Sequence, residues 1–319
     1  MKDKKKILVS APMEFVEVDR RLTHNVDLIL DTLVNIESIE LMQNKEDIYS
    51  WVVSPCPTYF IDKKIISYFP NLKAVVTPST GTNHIDKINL EKIGIKVFSL
   101  RDSELYNTIL ASSEYTFSLI LSLIRKIPEA SSFPLQEKWR ESEKYLRSRE
   151  VNNLTLGIIG LGRIGANVAK YASAMDMTIQ YFDPFVENLT YKKLQSIDDI
   201  FSTSDVVLLS LILDESTTGL IDEKKLNNVK KGLLLVNTSR GEVIEEEAVV
   251  NLLKSEVLGG YAADVLTGEI DGSWKESPIL QLSKENRNII ITPHIAGLTI
   301  DSESKAQNIA LKLASNDID

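Results

Sequence analysis

The chain of 319 residues carries a formal net charge of −9, is 43% apolar and 25% charged, and contains one cysteine, Cys56. This length predicts two domains of ordinary size that bury a proper core, and the acidic balance argues against a nucleic-acid partner. The single cysteine excludes an intrachain disulfide and a multi-cysteine metal site, and we expect no bound metal. No apolar run approaches the roughly 18 residues of a membrane span, and the opening stretch lacks the features of a signal peptide, so we expect a soluble cytoplasmic protein.

Short apolar runs alternate with helical patterns over the first part of the chain, which predicts a small β/α unit. The predicted strands are Ile7–Ser10, Ile39–Met42, Trp51–Val53, Leu72–Thr77 and Lys96–Ser99, and the predicted helices are Leu22–Leu33 and Ile61–Tyr68. Ser112–Ile127 is apolar at helical spacing and is followed by Pro128, which predicts a helix that ends there. Ser131–Val151 mixes charged and aromatic residues and predicts a loop with a short helix.

A glycine-rich stretch opens the second part of the chain. The apolar run from Thr155 ends at Gly160, and Gly160, Gly162 and Gly165 follow the spacing G-x-G-x-x-G. Ile164, Val168 and Ala172 then mark one face of a helix. A strand, a glycine turn and a helix are the context in which this motif predicts dinucleotide binding, because the helix N-terminus offers free N–H groups to a pyrophosphate.

Strand and helix patterns continue to alternate after this motif, which predicts a parallel sheet with helices on both faces. The predicted strands are Thr178–Phe182, Val206–Ser210, Leu233–Val236, Gly260–Val265 and Ile289–Thr292, and the predicted helices are Glu223–Val229 and Glu246–Lys254. Asp183, Arg240, Asp264 and His294 lie at or just after strand ends, where such sheets carry functional loops. The polar segment Ser302–Ser315 is compatible with a helix that packs back on the first domain.

Four motifs in the order of the chain resemble those of the D-isomer-specific 2-hydroxyacid dehydrogenase family. They are the glycine stretch, Asn237–Gly241 (NTSRG), Asp264–Glu269 (DVLTGE) and Thr292–Gly297 (TPHIAG), and Thr80–Asp86 (TGTNHID) is similar to the family's substrate-domain loop. The resemblance implies a Rossmann-type doubly wound parallel sheet for the cofactor and a smaller flavodoxin-like α/β substrate domain. It also implies a discontinuous substrate domain at residues 1–103 and 296–319, with the NAD-binding domain at residues 104–295.

The resemblance further implies an NAD-dependent enzyme that interconverts a 2-keto acid and the D-2-hydroxy acid. Arg240 matches the arginine that holds the substrate carboxylate, and a guanidinium suits that role because it is planar, bidentate and always charged. His294 matches the proton donor and acceptor, and Glu269 matches the carboxylate that pairs with it. Of the other two histidines, His24 is expected on a solvated helix face, and His84 is expected to be structural.

The family's cofactor and substrate contacts transfer to other positions of this sequence. The residues implied to contact NAD are Gly160, Gly162, Arg163, Ile164, Gly165, Asp183, Ser239, Asp264, His294 and Gly297. Asp183 is expected to bind the adenosine ribose, Asp264 the nicotinamide carboxamide, and Ser239 the nicotinamide side through its backbone. The residues implied to bind the substrate carboxylate through backbone amides are Ser79, Thr80 and Gly81. No cation follows Asp183 before Glu187, which predicts a preference for NADH over NADPH.

Two departures from the family pattern leave the loop path and the substrate open. The family's Glu-Pro is Glu269-Ile270 here, which puts the path of that loop in doubt. The loop Ser54–Pro57 holds no cation, although phosphoglycerate-oxidising relatives can carry arginines there. A small unphosphorylated substrate is therefore predicted, and 3-phosphoglycerate oxidation would require charge from another source. The candidates are Arg101, Arg147 and Arg149.

The resemblance also bears on two further activities and on the assembly. A formate-type dehydrogenase is disfavoured, because that enzyme pairs its histidine with glutamine and this chain has Glu269. An NAD-sensing binding protein on the same fold is the hypothesis from a different functional class. The resemblance implies a homodimer formed through residues 105–150, where Phe133, Trp139 and Tyr145 are the candidate contacts.

Overall fold

Two parallel sheets organise this chain. The computed structural model describes residues 5–19, 21, 25–33, 35–136, 139–140, 143–285 and 288–316. The chain divides into two units, and each has its own sheet and core. The first unit joins Met1–Ile109 to Leu298–Asp319, and the second is Leu110–Gly297.

The first unit contains a five-stranded sheet. Its strands are β1 (Lys5–Val9), β2 (Val26–Leu30), β3 (Ile48–Val52), β4 (Ala74–Val76) and β5 (Lys96–Phe98). Its α-helices in the described residues are Ile36–Leu41, Lys63–Ile66, Lys87–Lys92 and Ile300–Asn316. The strands are all parallel and lie in the order β2-β1-β3-β4-β5. This is the strand order of flavodoxin-like sheets, so the predicted fold of the smaller unit is confirmed.

The helix Ile300–Asn316 returns to the first unit from the far end of the chain and covers one face of its sheet. The contact consists of small or branched apolar side chains: Ile7, Val9, Val52, Val76, Ala310, Leu311 and Ala314. Its Asn308 amide also donates to Glu17 O (2.9 Å), which ties the loop after β1 to the helix. The predicted return of the polar C-terminal segment to the first unit is confirmed.

Two predicted elements of the first unit are wrong. Ile39–Met42 is not a strand, because Asn35 caps the helix Ile36–Leu41 by accepting a hydrogen bond from Ser38 N–H (2.8 Å). The predicted helix Leu22–Leu33 instead contains β2, all five residues of which pair in parallel with β1. Residues 22–24 of that range, which include His24, lie outside the described part of the chain.

The second unit contains a seven-stranded parallel sheet. Its strands are β6 (Thr155–Ile159), β7 (Thr178–Phe182), β8 (Lys192–Lys193), β9 (Val206–Leu209), β10 (Leu233–Asn237), β11 (Leu258–Ala263) and β12 (Ile289–Ile291). They lie in the order β12-β11-β10-β9-β6-β7-β8. The order reverses at β6, which pairs with β7 on one side and β9 on the other. Ligands of open α/β sheets bind beyond the carboxyl ends of the strands at such a switch point.

Helices cover both faces of the larger sheet. Its α-helices in the described residues are Ala111–Arg125, Ile127–Ser132, Glu143–Leu146, Arg163–Ser173, Ile197–Thr203, Glu246–Lys254 and Pro278–Ser283. Leu156 and Ile158 of β6 belong to one apolar cluster, which includes residues of the helices Ala111–Arg125 and Arg163–Ser173. Ile159 faces the other cluster, which includes the helices Ile197–Thr203 and Glu246–Lys254. The predicted doubly wound arrangement is confirmed.

Two local predictions in the second unit need correction. The helix predicted up to Ile127 ends at Arg125, and Lys126 follows in the left-handed conformation with φ 51°. Pro128 then lies in the first turn of a new helix, where an N–H would have no acceptor within the helix, so its absence breaks no hydrogen bond. The predicted helix Glu223–Val229 is a series of turns. Among the described helices, none combines the length and apolar composition needed to span a bilayer.

Candidate functional site

The glycine turn joins the carboxyl end of β6 to the helix Arg163–Ser173. Gly160 has φ 92°, a conformation that favours glycine. A Cβ at Gly165 would collide with Gly160 O, so the helix packs closer to the strand than any side chain allows. A Cβ at Gly162 would meet nothing within 4 Å. The turn therefore leaves open space at the one glycine where a pyrophosphate would approach the backbone.

The N-terminus of the helix Arg163–Ser173 provides donors at this open space. Gly162 is the N-cap residue and makes no side-chain cap hydrogen bond. The N–H groups of Ile164 and Gly165 have no hydrogen-bond acceptor in the described part of the chain. These unsatisfied donors and the positive end of the helix dipole suit an anion. The turn therefore has the donors and the open space that a pyrophosphate requires.

Asp183 directly follows β7 and is nearly buried. One carboxylate oxygen accepts from Leu161 N–H (2.8 Å), and the other accepts from Phe185 N–H (2.8 Å) and Val186 N–H (3.1 Å). A carboxylate has about four acceptor positions, so it can still accept from a ribose hydroxyl. The bond to Leu161 also fixes the glycine turn, a role that the sequence motif does not indicate.

The Arg240 side chain lies on a turn that its neighbours hold at the end of β10. The Asn237 amide donates to Arg240 O (2.9 Å) and accepts from Ser239 N–H (3.0 Å). Ser239 Oγ donates to Leu209 O (2.8 Å) and accepts from Leu211 N–H (3.0 Å), which ties this turn to the loop after β9. Arg240 Nη1 donates to Ser239 O (2.7 Å). The guanidinium is therefore oriented by the protein itself.

Gly241 brings the turn of Arg240 against the loop that carries Glu269. A Cβ at this buried glycine would collide with the backbone of Leu266 and Thr267. The neighbouring Glu246 accepts from Thr267 N–H (3.1 Å) and from the Ser277 hydroxyl (2.6 Å). No sequence signal indicates this role of Glu246, because an acidic residue in the first turn of a helix is ordinary.

Glu269 and His294 form a hydrogen-bonded pair. Glu269 Oε2 lies 2.5 Å from His294 Nδ1, and Glu269 Oε1 accepts from Leu266 N–H (2.9 Å). Their side chains are 31% and 34% exposed, so both are screened only in part. Burial acts to raise the pKa of Glu269. The opposing effects outweigh burial and lower this pKa: the hydrogen bond and charge of His294, the Leu266 N–H and the charge of Arg240. Because Nδ1 faces the carboxylate, Nε2 remains to exchange a proton with a ligand.

Asp264 holds the loop on which His294 lies. Its side chain is 1% exposed, and one oxygen accepts from the Thr292 hydroxyl (2.6 Å) and Ile295 N–H (3.0 Å). The other oxygen accepts from Ala296 N–H (2.7 Å). His294 itself has φ 56°, a left-handed conformation that a non-glycine residue adopts at some energetic cost. The loop is thus held from both sides of the histidine.

The departure at Glu269-Ile270 does not separate Glu269 from His294. Gly268 has φ 80°, and its carbonyl accepts from Gly272 N–H (3.0 Å). Asp271 then accepts from the N–H and hydroxyl of Ser273 (2.9 and 2.6 Å). These bonds hold the loop after Glu269 in a turn, and the carboxylate reaches the histidine.

The predicted carboxylate-binding loop lies in the first unit. Ser79 O accepts from Leu100 N–H (2.9 Å), and Ser79 Oγ donates to Gly81 O (2.7 Å). The N–H groups of Ser79, Thr80 and Gly81 have no acceptor in the described ranges of the chain. Three unpaired N–H groups in one short loop suit a carboxylate. In the second unit, Gly297 leaves space, since a Cβ there would meet Ser112 Oγ at 3.6 Å.

The second unit thus brings Arg240, Glu269 and His294 together. The glycine turn and Asp183 lie at the carboxyl edge of the same sheet. Ser239 and Asp264, predicted as cofactor contacts, also have internal roles, because their polar atoms bond to neighbouring loops. Sequence reasoning misses Asn237 as a functional residue, although it lies within the motif Asn237–Gly241 at a strand end.

Comparisons with known proteins identify the family that this sequence resembles. Residues 117–296 match the family described as D-isomer specific 2-hydroxyacid dehydrogenase, NAD binding domain. A glyoxylate reductase from Thermofilum pendens is 33% identical over 266 residues, which are 79% of this chain and 74% of that protein. A D-3-phosphoglycerate dehydrogenase from Archaeoglobus fulgidus is 30% identical over 93% of this chain, but the match spans only 54% of that longer protein.

One solved structure extends the likeness to both units. The D-lactate dehydrogenase from Aquifex aeolicus, crystallised with NAD and lactic acid, has a TM-score of 0.79 and 26% sequence identity. The match covers 97% of this chain and 93% of that chain.

Proposed function

Because this chain belongs to the D-isomer specific 2-hydroxyacid dehydrogenase family and is an NAD-dependent oxidoreductase acting on the CH–OH group of its donors, we propose that it reduces a small unphosphorylated 2-keto acid to the D-2-hydroxy acid, and catalyses the reverse. The observation that carries the proposal is the His294–Glu269 pair beside Arg240. This set provides a proton donor, a carboxylate that favours its charged form, and a cation for an anionic substrate.

The roles of the three side chains follow from their chemistry. Arg240 binds the substrate carboxylate and polarises the carbonyl. His294 Nε2 donates a proton to the carbonyl oxygen during reduction and accepts it during oxidation. Glu269 keeps the imidazole oriented and favours its protonated form. NADH supplies the hydride when bound. The Glu269 partner speaks against a formate-type dehydrogenase, in which glutamine would take this place.

The residues proposed to hold NAD belong to the turn and loops of the second unit. Gly160, Gly162 and Gly165 form the pyrophosphate turn, and Arg163 and Ile164 present backbone N–H groups. Asp183 binds the ribose, and its carboxylate repels a 2′-phosphate, so NADH is expected to be preferred over NADPH. The remaining proposed contacts are Ser239, Asp264, His294 and Gly297. We propose that the first unit, with Ser79, Thr80 and Gly81, is the substrate domain.

A phosphorylated substrate is the second candidate, favoured by the similarity to D-3-phosphoglycerate dehydrogenases. The three arginines that could supply charge differ in their surroundings. Arg149 pairs with Asp205 (2.8 Å), which lies just before β9 and accepts from the first residue of β6. Asp205 therefore lies at the amino edge of the larger sheet, opposite the glycine turn. Arg149 is bound to Asp205 at that edge and does not supply charge at the edge that carries the glycine turn. Arg101 follows Leu100, which bonds to the Ser79 loop, and it is therefore the candidate that lies in the same unit as that loop.

The test is NADH oxidation measured over glyoxylate, pyruvate, hydroxypyruvate and 3-phosphohydroxypyruvate, with NADPH as the alternative cofactor. We expect turnover of an unphosphorylated acid, a clear preference for NADH, and a D-configured product. If 3-phosphohydroxypyruvate is by far the best substrate and Arg101→Ala removes that preference, the proposed substrate class is wrong.

Two controls separate an enzyme from an NAD-sensing binding protein. His294→Ala should nearly abolish turnover in both directions while NADH binding, followed by its fluorescence, stays intact. A wild-type protein that binds NADH tightly but oxidises it with none of the 2-keto acids would favour the sensor.

The homodimer and the cytoplasmic location are proposals as well. Trp139 and Tyr145 support an interface in the segment 105–150, because they are 78% and 56% exposed, and large apolar side chains at this exposure suit a partner. Phe133, the third predicted contact, is half-buried, whereas Leu135 of the same segment is 86% exposed. Light scattering should give twice the chain mass of 35.8 kDa. Trp139→Glu should then shift the mass toward that of one chain.

A further inference from the structure

A chain of side-chain hydrogen bonds runs beneath the Ser79–Gly81 loop of the first unit. His84 is buried, and its Nε2 lies 3.1 Å from Thr77 Oγ1. Thr77 is fully buried, and its Oγ1 lies 2.9 Å from Ser79 Oγ. Ser79 Oγ in turn donates to Gly81 O (2.7 Å). The chain thus begins at a buried histidine and ends at the backbone of the loop.

Counting protons gives this chain a direction. A hydroxyl has a single proton, and a carbonyl oxygen can only accept, so Ser79 gives its proton to Gly81. Thr77 must then donate to Ser79, which leaves Thr77 Oγ1 only as an acceptor toward His84. His84 Nε2 must therefore carry a proton. Every hydrogen bond in the chain therefore points toward the loop. Hydrogen bonds aligned in this way polarise and strengthen one another.

Two bound carbonyls fix the direction of two free N–H groups, and the chain from His84 supplies the donor to one of these carbonyls. In a planar trans peptide the C=O and the following N–H point in opposite directions. Ser79 O is bound by Leu100 N–H (2.9 Å), so the N–H of Thr80 points away from Leu100. Gly81 O is bound by the Ser79 hydroxyl, so the N–H of Thr82 points away from Ser79. Neither N–H has an acceptor within the described residues.

We propose that His84 and Thr77 are positioning residues for the substrate carboxylate. They hold the loop so that its free N–H groups are aligned before the substrate arrives, and His84 does so with a proton on Nε2. The inference deepens the proposed function and rests on it, because it requires that this loop binds the carboxylate. Neither residue touches the substrate, and neither takes part in proton transfer.

The protonation of His84 can be measured directly. The sequence has only three histidines, so the imidazole nitrogen resonances of the ¹⁵N-labelled protein can be assigned with one variant per residue. We expect Nε2 of His84 to carry a proton, and we expect its resonance to shift in Thr77→Val. An unprotonated Nε2 would overturn the proposal, because the hydrogen bonds could then not point toward the loop.

The kinetic test compares two substitutions at Thr77. Thr77→Val keeps the shape but removes the hydroxyl, and Thr77→Ser keeps the hydroxyl. Loss of the two buried hydrogen bonds of this hydroxyl should raise the KM for the 2-keto acid about tenfold in Thr77→Val, with kcat and NADH affinity little changed. Thr77→Ser should restore the wild-type KM. His84→Gln, whose amide can donate from a similar position, should be affected less than His84→Leu.

The outcomes separate the two claims. If Thr77→Val keeps the wild-type KM while its His84 resonance shifts, the hydrogen bonds exist but do not serve the substrate, and the positioning role is wrong. A fall in kcat and NADH affinity together, not restored by Thr77→Ser, would indicate general misfolding and also contradict it. If the wild-type protein reduces no 2-keto acid, the proposed function fails, while the nitrogen resonances still decide whether the chain of hydrogen bonds exists.

Discussion

Arg240, Glu269 and His294 are each oriented by a hydrogen bond from the protein itself. Arg240 donates to Ser239 O, Glu269 accepts from Leu266 N–H, and His294 N–H donates to Thr292 O (3.0 Å). Groups that are fixed in advance stabilise a transition state without the cost of reorganisation. The site should therefore respond sharply to substitutions that keep charge but change geometry.

Arg240→Lys is the first such substitution. A lysine keeps the charge but cannot bond Ser239 O and a carboxylate with one planar fork. We expect the transition-state stabilisation measured by kcat/KM for reduction to fall by about 2–4 kcal/mol. This is the range for losing one transition-state donor. NADH affinity should change little. Arg125→Lys is the matched control, because among the described residues that guanidinium donates to the Ser148 hydroxyl alone. Near-native turnover of Arg240→Lys would remove Arg240 from the site.

Glu269→Gln tests, through pH, whether the Glu269 carboxylate favours the charged form of His294. The lowered pKa of Glu269 keeps it ionised as pH falls through its ordinary range, so its charge is constant over the pH range of the assay. An ionised carboxylate favours imidazolium. Reduction needs the imidazolium, so its alkaline limb should move to lower pH in Glu269→Gln. Oxidation needs the neutral ring, so its acidic limb should also move to lower pH.

The measurement is a pair of pH profiles of kcat/KM, with Glu276→Gln as the control for a neighbouring exposed carboxylate. Limbs that stay in place in both directions would mean that Glu269 does not set the charge of His294.

The sequence locates the candidate residues but not their internal partners. Asp183 and Asp264 are candidates because they follow strands in a parallel sheet, and that reasoning concerns ligands only. Their bonds to Leu161 and to the His294 loop join parts of the chain that are far apart in sequence. No local pattern indicates such pairs. Asp183→Ala would therefore disturb the glycine turn as well as the ribose contact.

The glycine turn predicts a contrast between two of its members. Gly165→Ala places a Cβ against the backbone of Gly160, so the helix must shift, at a cost of about 1–3 kcal/mol. That cost should lower Tm by about 2–10 °C. Gly162→Ala meets no protein atom and should leave Tm unchanged. Its Cβ instead occupies the space for the pyrophosphate, so NADH affinity should fall roughly tenfold or more.

Thermal unfolding and NADH titration of both variants decide the matter. A lower Tm for Gly162→Ala than for Gly165→Ala, with normal NADH affinity in both, would contradict these roles. Gly165 would then not be required for close packing of the helix, and Gly162 would not be required for pyrophosphate binding.

Elements are predictable where one signal dominates. The strand β6 is buried on both faces and is followed by a glycine turn, and its pattern is unambiguous. Ile39–Met42 resembles a strand because four residues are too few to distinguish a helical period from a strand period. Asn35, which caps the helix, lies outside these four residues. The segment around β2 fits a helical period, but pairing with β1 decides its structure. Such pairing joins distant segments and cannot be read locally.

At the scale of the whole molecule, Asp205 ties three segments at the amino edge of the larger sheet. It accepts from Thr155 N–H (2.9 Å) and pairs with Arg149 (2.8 Å) and Lys230 (3.0 Å). Burial acts to raise the pKa of Asp205, but these three bonds outweigh it and lower that pKa. The ionised carboxylate therefore stabilises the fold above the ordinary pKa of an aspartate, and this stabilisation is lost as pH falls through the lowered pKa.

Asp205→Asn should reduce the free energy of unfolding at pH 7 by about 1–3 kcal/mol. The difference from wild type should shrink as pH falls below about 4. Urea unfolding at both pH values measures it, with Asp198→Asn as the control for an exposed ion pair, where the change should stay within about 0.5 kcal/mol. An equal loss at both pH values would show that the charge does not matter.

The return of the helix Ile300–Asn316 to the first unit has a consequence for synthesis on the ribosome. The sheet of that unit is fully translated once β5 has been made, but one apolar face, which includes Ile7, Val9 and Val52, lacks its covering helix until residues 300–316 emerge. At 5–20 residues per second, translation of the intervening unit leaves that face exposed for roughly 10 to 40 s. The larger unit can fold during this interval. The nascent first unit is then the part of the chain that chaperones must protect, and a ribosome that stalls before Ile300 would release it in its most aggregation-prone form.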